Sequence, residues 1–191
     1  MEFLPQVIPE VFLVKPIIHG DHRGYFIESF RQDQLEQAIG YSVIFVQDNE
    51  SRSFRGVLRG LHFQRPPHAQ AKLVRVIEGE VQDVVVDIRQ GSPTYGKHVV
   101  AKLSAENKHQ LWIPKGFAHG FVVLSETAIF SYKVDDYYSS EQDQGIAFDD
   151  PALQIDWQLP RTQLKLSEKD QQQPFLAALS PCFHYGEPLY G

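Results

Sequence analysis

The stretch from Lys72 to Asp87, KLVRVIEGEVQDVVVD, contains the clearest structural signal in the sequence. Two runs rich in Val and Ile lie on either side of Gly79, as in two antiparallel strands that share a tight turn, and successive side chains of a strand point to opposite faces. The alternation places Lys72, Val74 and Val76 on one face of the first strand. The stretch therefore predicts a β-hairpin in which a lysine shares a face with valines and points inward.

Similar short β-type runs, separated by Gly, Pro, Asp and Asn, occur along most of the chain and are typical of a sandwich or barrel. Helical signal is confined to residues 31–39, which Gly40 should end, and to residues 174–179. The sequence shows no internal repeat, low-complexity run or linker, so residues 1–191 are expected to form a single all-β domain with a few short peripheral helices. Further predicted strands are 42–47, 82–88, 98–103, 109–113, 120–124 and 128–134.

Composition excludes several classes of protein. The formal net charge of -6 argues against broad electrostatic binding to nucleic acid, which needs a basic face. Cys182 is the only cysteine, so an intramolecular disulfide and a zinc-ribbon site are excluded. The N-terminal residues lack the basic start and apolar run of a signal peptide, and no stretch has the length of a membrane span. We therefore expect a cytoplasmic protein that binds neither nucleic acid nor a membrane.

Two motifs resemble the halves of a cupin metal site. A metal-binding cupin barrel presents His-x-His and a Glu ahead of a Gly on one strand pair, and a third His in a Pro-x-Gly-x-x-His turn. This chain keeps His62 in GLHFQ and His119 in PKGFAH, whereas Gln64 and Lys72 occupy the other two ligand positions. We therefore expect a cupin-like jelly-roll barrel without a metal, in which a lysine ammonium stabilises an anion such as an enolate.

Each of these residues also has an ordinary structural explanation. A lone histidine between apolar neighbours, such as His62, is more often a packing residue, and Lys72 at a strand end can extend its ammonium to solvent. Tyr132 is equally typical of a β core. Asp170 would fix the tautomer of His62 only if the fold brings the two together. The sequence contains no Walker loop, dinucleotide-binding glycine motif or His-Glu-x-x-His helix, so ATP hydrolysis, nicotinamide and zinc-protease chemistry have no support.

Taken together, the motifs resemble the dTDP-4-dehydrorhamnose 3,5-epimerase family. They occur in the family's order from about Arg23 to Asp170, and as a set they are far more specific than any one alone. The matching segments are VLRGLHFQ (57–64), KLVRV (72–76), DVVVDIR (83–89), SPTYG (92–96), IPKGFAHGF (113–121), YK (132–133) with YY (137–138), and SEKD (167–170).

The resemblance implies a role for each matching residue. His62 would be the general base with Asp170 as its supporting carboxylate, Tyr132 the acid on the opposite face, and Lys72 a charge beside the sugar carbonyl. Asp143 stands where the family more often has Glu, so the acid at this position is one methylene shorter. The positions assigned to substrate binding are Arg23, Phe26, Glu28, Gln47, Asn49, Arg59, His119, Tyr138, Asp143 and Lys169, with Tyr138 as the ring that stacks on thymine.

The implied reaction agrees with the interpretation of Lys72. In a 4-keto sugar both C3 and C5 adjoin the carbonyl, so one base can remove either proton and leave an enolate whose charge rests on the C4 oxygen. The resemblance thus implies conversion of dTDP-4-dehydro-6-deoxy-D-glucose to dTDP-4-dehydro-L-rhamnose by a homodimer that needs no cofactor. The alternatives are an epimerase of C3 or C5 alone, a metal-dependent cupin, and a sugar-nucleotide-binding protein without turnover. Tyr132 favours the double epimerase.

Overall fold

The computed structural model describes residues 1–190, which contain thirteen strands and two short α-helices. The helices are α1 (Gln32–Ile39) and α2 (Glu168–Gln171), and single turns of 3-10 helix lie at Arg161–Gln163 and Leu176–Ala178. The strands are β1 (Glu2–Pro5), β2 (Phe12–Lys15), β3 (Ile18–Asp21), β4 (Gly24–Ile27), β5 (Gln47–Phe54), β6 (Leu58–Gln64), β7 (Lys72–Glu78), β8 (Glu80–Asp87), β9 (His98–Ser104), β10 (Gln110–Ile113), β11 (Phe117–Val123), β12 (Thr127–Val134) and β13 (Asp143–Gly145).

Two antiparallel sheets face each other and form the expected cupin-like jelly roll. The six-stranded sheet has the order β1-β2-β10-β7-β12-β5, and the five-stranded sheet has the order β13-β6-β11-β8-β9. Alternate residues of both sheets meet in a shared apolar core that includes Val76, Val85, Leu111 and Phe130. The alternation predicted around Gly79 is confirmed, because Val74 and Val76 are buried in this core. Lys72 lies on the same face, at the end where the core gives way to a cavity.

The outer face of each sheet is covered by the rest of the chain. The segment after β13 packs against the five-stranded sheet, and its largest buried side chains are Phe148, Trp157 and Phe183. Helix α1 and the irregular segment that follows it, with Leu35, Val43 and Phe45, cover the six-stranded sheet around Trp112. The inner faces of the two sheets are therefore left for the core and for one internal cavity.

The helix predicted at residues 31–39 is confirmed as α1, and Gly40 ends it in the left-handed conformation with φ of 85°. The helix predicted at 174–179 is wrong, since only a 3-10 turn forms there. The strand predicted at 42–47 is also wrong: residues 42–46 are irregular, and β5 starts at Gln47. Strand β5 reads QDNESRSF without apolar alternation because it is an edge strand exposed to solvent on its outer side. No helix among residues 1–190 is long and apolar enough to cross a membrane.

Candidate active site

A cavity of about 260 Å³ opens between the two sheets. Strands β6 and β11 of the five-stranded sheet form one wall, and β5, β7 and β12 of the six-stranded sheet form the other. Six of the residues expected at the active site share this space. The lining residues are Asn49, Glu50, Ser51, Arg59, His62, Lys72, His119, Phe121 and Tyr132.

The fold brings Asp170 to His62 across 108 positions of sequence. Asp170 Oδ1 lies 2.5 Å from His62 Nε2, and the carboxylate is almost fully buried while the imidazole is 31% exposed. Helix α2 holds Asp170 in place because the Ser167 hydroxyl accepts its backbone N–H at 3.1 Å. Burial raises the pKa of Asp170, but the hydrogen bond to His62 and the contacts with Ser167 and Lys169 outweigh it, so the pKa is lowered overall. The carboxylate is therefore ionised and fixes the ring.

His119 forms a second imidazole–carboxylate pair on the same wall. It lies directly opposite His62 in the register of β6 and β11, and its Nε2 is 2.9 Å from Asp83 Oδ2. Both side chains are buried, and this burial raises the pKa of Asp83 although His119 and Lys72 oppose the shift. Sequence reasoning did not select Asp83. The available signal was a carboxylate on an inward strand face between valines, which is the same kind of signal that drew attention to Lys72.

Lys72 and Tyr132 project from the opposite wall. Their strands β7 and β12 are neighbours, and the Lys72 ammonium lies 5.9 Å from the centre of the Tyr132 ring. Burial lowers the pKa of Lys72 to about 8, and the negative charges of Asp143 and Asp83 oppose this shift. Burial also raises the pKa of the Tyr132 phenol, with Arg59 opposing. At neutral pH the wall therefore presents an ammonium and an undissociated phenol.

Tyr138, Asp143 and Lys169 form a cluster beside the cavity. Asp143 accepts from the Tyr138 hydroxyl at 3.0 Å and from the Lys169 ammonium at 2.5 Å. Lys169 precedes Asp170 in α2, so this cluster adjoins the His62 pair. The Tyr138 ring is 58% exposed and is free to meet a planar ligand. The shorter acid at position 143 thus reaches both neighbours.

Strands β5 and β6 carry further polar side chains at and beside the cavity. Gln47 donates to Asn49 Oδ1 at 2.9 Å and accepts from the backbone N–H of Tyr138 at 3.1 Å. Arg59 donates through Nε to the Ser53 hydroxyl at 3.1 Å, which leaves its terminal nitrogens for an anion. Gln47 contacts the loop of Tyr138 and does not line the cavity.

Arg23, Phe26 and Glu28 lie outside the cavity. Arg23 and Phe26 belong to the separate hairpin β3–β4, where Arg23 pairs with Asp21 at 2.6 Å and the Phe26 ring is 67% exposed. Glu28 follows the hairpin and is also exposed. A larger groove of about 640 Å³ runs along this hairpin, but it is lined by hairpin residues alone and shares no lining residue with the cavity of His62 and His119. The chain does not bring these three residues into its own cavity.

Gln64, at a position where other cupins place a metal ligand, turns away from the cavity. Its side chain is 4% exposed and bonds to backbone groups of two loops. Among residues 1–190 no group of three His, Cys, Asp or Glu side chains is arranged to hold a metal ion.

Comparison with known proteins gives a consistent result. A family model described as dTDP-4-dehydrorhamnose 3,5-epimerase matches residues 5–178. The dTDP-4-dehydrorhamnose 3,5-epimerase of Pseudomonas aeruginosa is 58% identical over 165 residues, which cover 86% of this chain and 90% of that protein. The crystal structure of dTDP-6-deoxy-D-glucose-3,5-epimerase from Legionella pneumophila in complex with dTDP-4-keto-L-rhamnose is 51% identical, with a TM-score of 0.90 over 94% of each chain. ChmJ, a 3'-monoepimerase from Streptomyces bikiniensis, is 33% identical, with a TM-score of 0.84 over 93% of this chain and 88% of its own.

Proposed function

The chain belongs to the dTDP-4-dehydrorhamnose 3,5-epimerase family, and we propose that its internal cavity carries out the family's reaction. The substrate is dTDP-4-dehydro-6-deoxy-D-glucose, and inversion at C3 and C5 gives dTDP-4-dehydro-L-rhamnose. The enzyme is an isomerase in which no atom is transferred to a second substrate. The protons that leave C3 and C5 are replaced from the opposite face of the sugar.

One observation carries this proposal. His62 projects from the five-stranded sheet and Tyr132 from the six-stranded sheet, and both line the same cavity. A planar enolate held between these walls has its two faces turned toward different sheets. A base on one wall and an acid on the other therefore invert a carbon centre without moving the sugar.

The proposed steps follow from the protonation states of these groups. The free ring nitrogen of His62 removes the proton from C5 or C3, and the electrons of the C–H bond form the enolate double bond. The charge that develops on the C4 oxygen is stabilised by the Lys72 ammonium and by His119. Tyr132 then donates its phenolic proton to the other face of the same carbon. Asp170 stabilises the imidazolium that His62 becomes.

The nucleotide is proposed to lie across the cluster beside the cavity. The exposed ring of Tyr138 offers a stacking surface for thymine, and its hydroxyl is held by Asp143. Arg59 and Asn49, at the cavity wall, are suited to the diphosphate and the ribose. This arrangement leaves the sugar inside the cavity between the two walls.

We propose that the homodimer explains the position of Arg23, Phe26 and Glu28. The resemblance assigns them to the substrate, yet they lie on or beside an exposed hairpin outside their own cavity. In a homodimer this hairpin reaches the cavity of the partner copy. The exposed aromatic residues of the hairpin, Tyr25 and Phe26, are suited to such an interface.

Mixed dimers test this arrangement. Arg23→Ala is expected to raise KM, and His62→Asn to remove activity. In a mixture, a heterodimer contains one site built from an intact base and an intact hairpin, so part of the activity should return at the KM of the unmodified protein. Activity that keeps only the KM of Arg23→Ala, or sedimentation as a monomer, would exclude the hairpin's role in the partner's site.

We also propose that the protein works in the cytoplasm. Its single cysteine, Cys182, is half-buried and cannot form a disulfide within the chain. This suits a reducing compartment.

The function is tested by proton NMR of dTDP-4-dehydro-6-deoxy-D-glucose incubated with the protein in D₂O. The expected result is loss of the proton signals at both C3 and C5 together with the appearance of dTDP-4-dehydro-L-rhamnose, the sugar of L-lyxo configuration. Exchange at one carbon alone would instead indicate a single-site enzyme, the activity named for ChmJ. No exchange above the enzyme-free control would exclude epimerisation of this substrate.

A further inference from the structure

Gln64 is placed differently from the other polar residues of its strand. It ends β6 two residues after His62, and its side chain is buried. Its Nε2 donates to the carbonyl of His68 at 2.8 Å and to the carbonyl of Tyr137 at 3.3 Å, while its Oε1 accepts from the N–H of Ser139 at 2.6 Å. Both amide hydrogens are used, so the side chain links β6 to two loops. We refer to these three hydrogen bonds as the joint.

The bonds made by Gln64 enclose Tyr138. They hold the backbone on its N-terminal side, at Tyr137, and on its C-terminal side, at Ser139. Gln47 accepts the backbone N–H of Tyr138 itself at 3.1 Å. Residues 135–142 have no regular secondary structure, so strand pairing does not fix this segment. The side-chain amides of Gln64 and Gln47 hold it at residues 137, 138 and 139.

We propose that Gln64 is a positioning residue for nucleotide binding, which holds the backbone around Tyr138 so that the ring is already oriented for the base. The proposal rests on the proposed function, which assigns the Tyr138 ring to thymine. A segment ordered before binding loses less conformational entropy when the ligand arrives, so affinity depends on the joint although Gln64 does not touch the ligand.

The chemistry of the joint requires an amide. Glutamate has the same shape, but an ionised carboxylate has no hydrogen to donate and would repel the carbonyl oxygens of His68 and Tyr137. Methionine keeps the length and buries no charge, yet it makes none of the three bonds. Gln64→Met therefore removes the joint with the least risk to folding, and Gln64→Glu adds repulsion to the same loss.

Gln82 provides a matched control. It is also a buried strand glutamine, 1% exposed, and it donates to a backbone carbonyl, that of Asp156. Its contact is with the C-terminal covering segment and not with the loop of Tyr138. Gln82→Met should also lower stability, by less than Gln64→Met because it loses one hydrogen bond and not three, and it should leave nucleotide affinity unchanged.

The test combines calorimetric titration with dTDP, steady-state kinetics and hydrogen exchange. For Gln64→Met we expect Kd for dTDP and KM to rise about tenfold, in line with the loss of buried hydrogen bonds, while kcat stays within about twofold. Amide exchange of residues 137–139 should accelerate, whereas exchange in the β-sheets should not. In a Tyr138→Ala background, Gln64→Met should change Kd no further, because the two residues act through one ring.

Three results would overturn the proposal: unchanged exchange at residues 137–139, unchanged Kd for dTDP, or an effect that adds in full to that of Tyr138→Ala. A loss of kcat with unchanged KM would likewise show that Gln64 acts on the chemistry or on the fold. Binding of dTDP to the unmodified protein distinguishes the two proposals. If the unmodified protein binds no dTDP, the proposed function is wrong. If it binds dTDP normally and Gln64→Met binds equally well, only the proposal for Gln64 is wrong.

Discussion

The side chains on the two walls of the cavity differ in what surrounds their ionisable groups. On the five-stranded wall, His62 and His119 each contact a buried carboxylate. On the six-stranded wall, Lys72 and Tyr132 form no side-chain hydrogen bond to any of residues 1–190, and burial dominates the pKa of both. One wall is organised by charge pairs and the other by loss of solvent.

In the proposed reaction, this difference separates proton removal from proton delivery. A carboxylate beside an imidazole stabilises the positive charge that the ring gains as a base. Burial disfavours the phenolate form of Tyr132, so this group keeps its proton until an enolate needs it. Lys72 is the intermediate case, since its pKa of about 8 leaves it mostly charged at neutral pH but sensitive to a small rise.

Removing the imidazole from the paired wall is expected to have the largest effect. His62→Asn removes the proposed general base, so exchange at C3 and C5 should both fall, with kcat lower by roughly 10²–10⁴. Exchange in D₂O followed by proton NMR measures both carbons at once. His98→Asn, a partly buried histidine on β9 of the same sheet, should retain normal rates. Near-normal exchange in His62→Asn would assign the base elsewhere.

Removing the Lys72 charge from the six-stranded wall is expected to have the second-largest effect on activity. Lys72→Met takes away the cation proposed to stabilise the C4 oxygen, and kcat should fall by roughly 10²–10³. Lys133→Met is the matched control, because Lys133 lies on neighbouring β12 and pairs with Asp48 on the outer face. Equal losses in the two variants would indicate an effect on the sheet and not on the enolate.

The pKa of Lys72 also predicts opposite trends for activity and stability. Above about pH 8 the ammonium loses its proton, so kcat should decline. The folded protein binds this proton less tightly than the unfolded chain, where the pKa is near 10.5, so the free energy of unfolding should gain from Lys72 as pH rises between these values. Lys72→Met should abolish both trends. Rate profiles and urea unfolding between pH 7 and pH 10 measure them.

Weakening one charge pair is expected to have the smallest effect of the three. Asp170→Asn keeps the shape but loses the charge opposite His62, so kcat should fall about tenfold to a hundredfold with little change in KM. Since the pKa of Asp170 is lowered in the fold, its stabilising contribution is present above its ordinary value of 3.8 and is lost as pH falls below it. The difference in the free energy of unfolding between variant and parent should therefore be smaller at pH 3 than at pH 7. A difference that is as large at pH 3 as at pH 7 would point to packing.

Much of this arrangement was visible in the sequence. The alternation around Gly79 predicted two strands and the inward Lys72, and the motifs around His62 and His119 identified one wall. These signals are local, because a strand face or a tight turn is encoded within a few residues. The polar edge strand β5 was missed because its side chains show no apolar alternation, so the local signal was absent.

Contacts between distant segments were harder to predict. The pairing of Asp170 with His62 depends on how the C-terminal segment covers β6, and only the family resemblance suggested it. Asp83 was passed over although a carboxylate between inward valines costs energy unless a partner offsets it. Arg23, Phe26 and Glu28 were expected near the substrate, but the chain places them on or beside an exposed hairpin. Such positions depend on packing and assembly, which local patterns do not record.

The division of labour between the walls is tested most directly with Tyr132→Phe in D₂O. If His62 removes protons from one face and Tyr132 delivers them to the other, this variant should still place deuterium at C3 or C5 of the recovered substrate, while the L-lyxo product is nearly absent. Mass spectrometry and proton NMR of the sugar nucleotide measure both quantities in one sample. Product formation at the normal rate, or loss of exchange equal to that of His62→Asn, would contradict the assignment of base and acid to opposite walls.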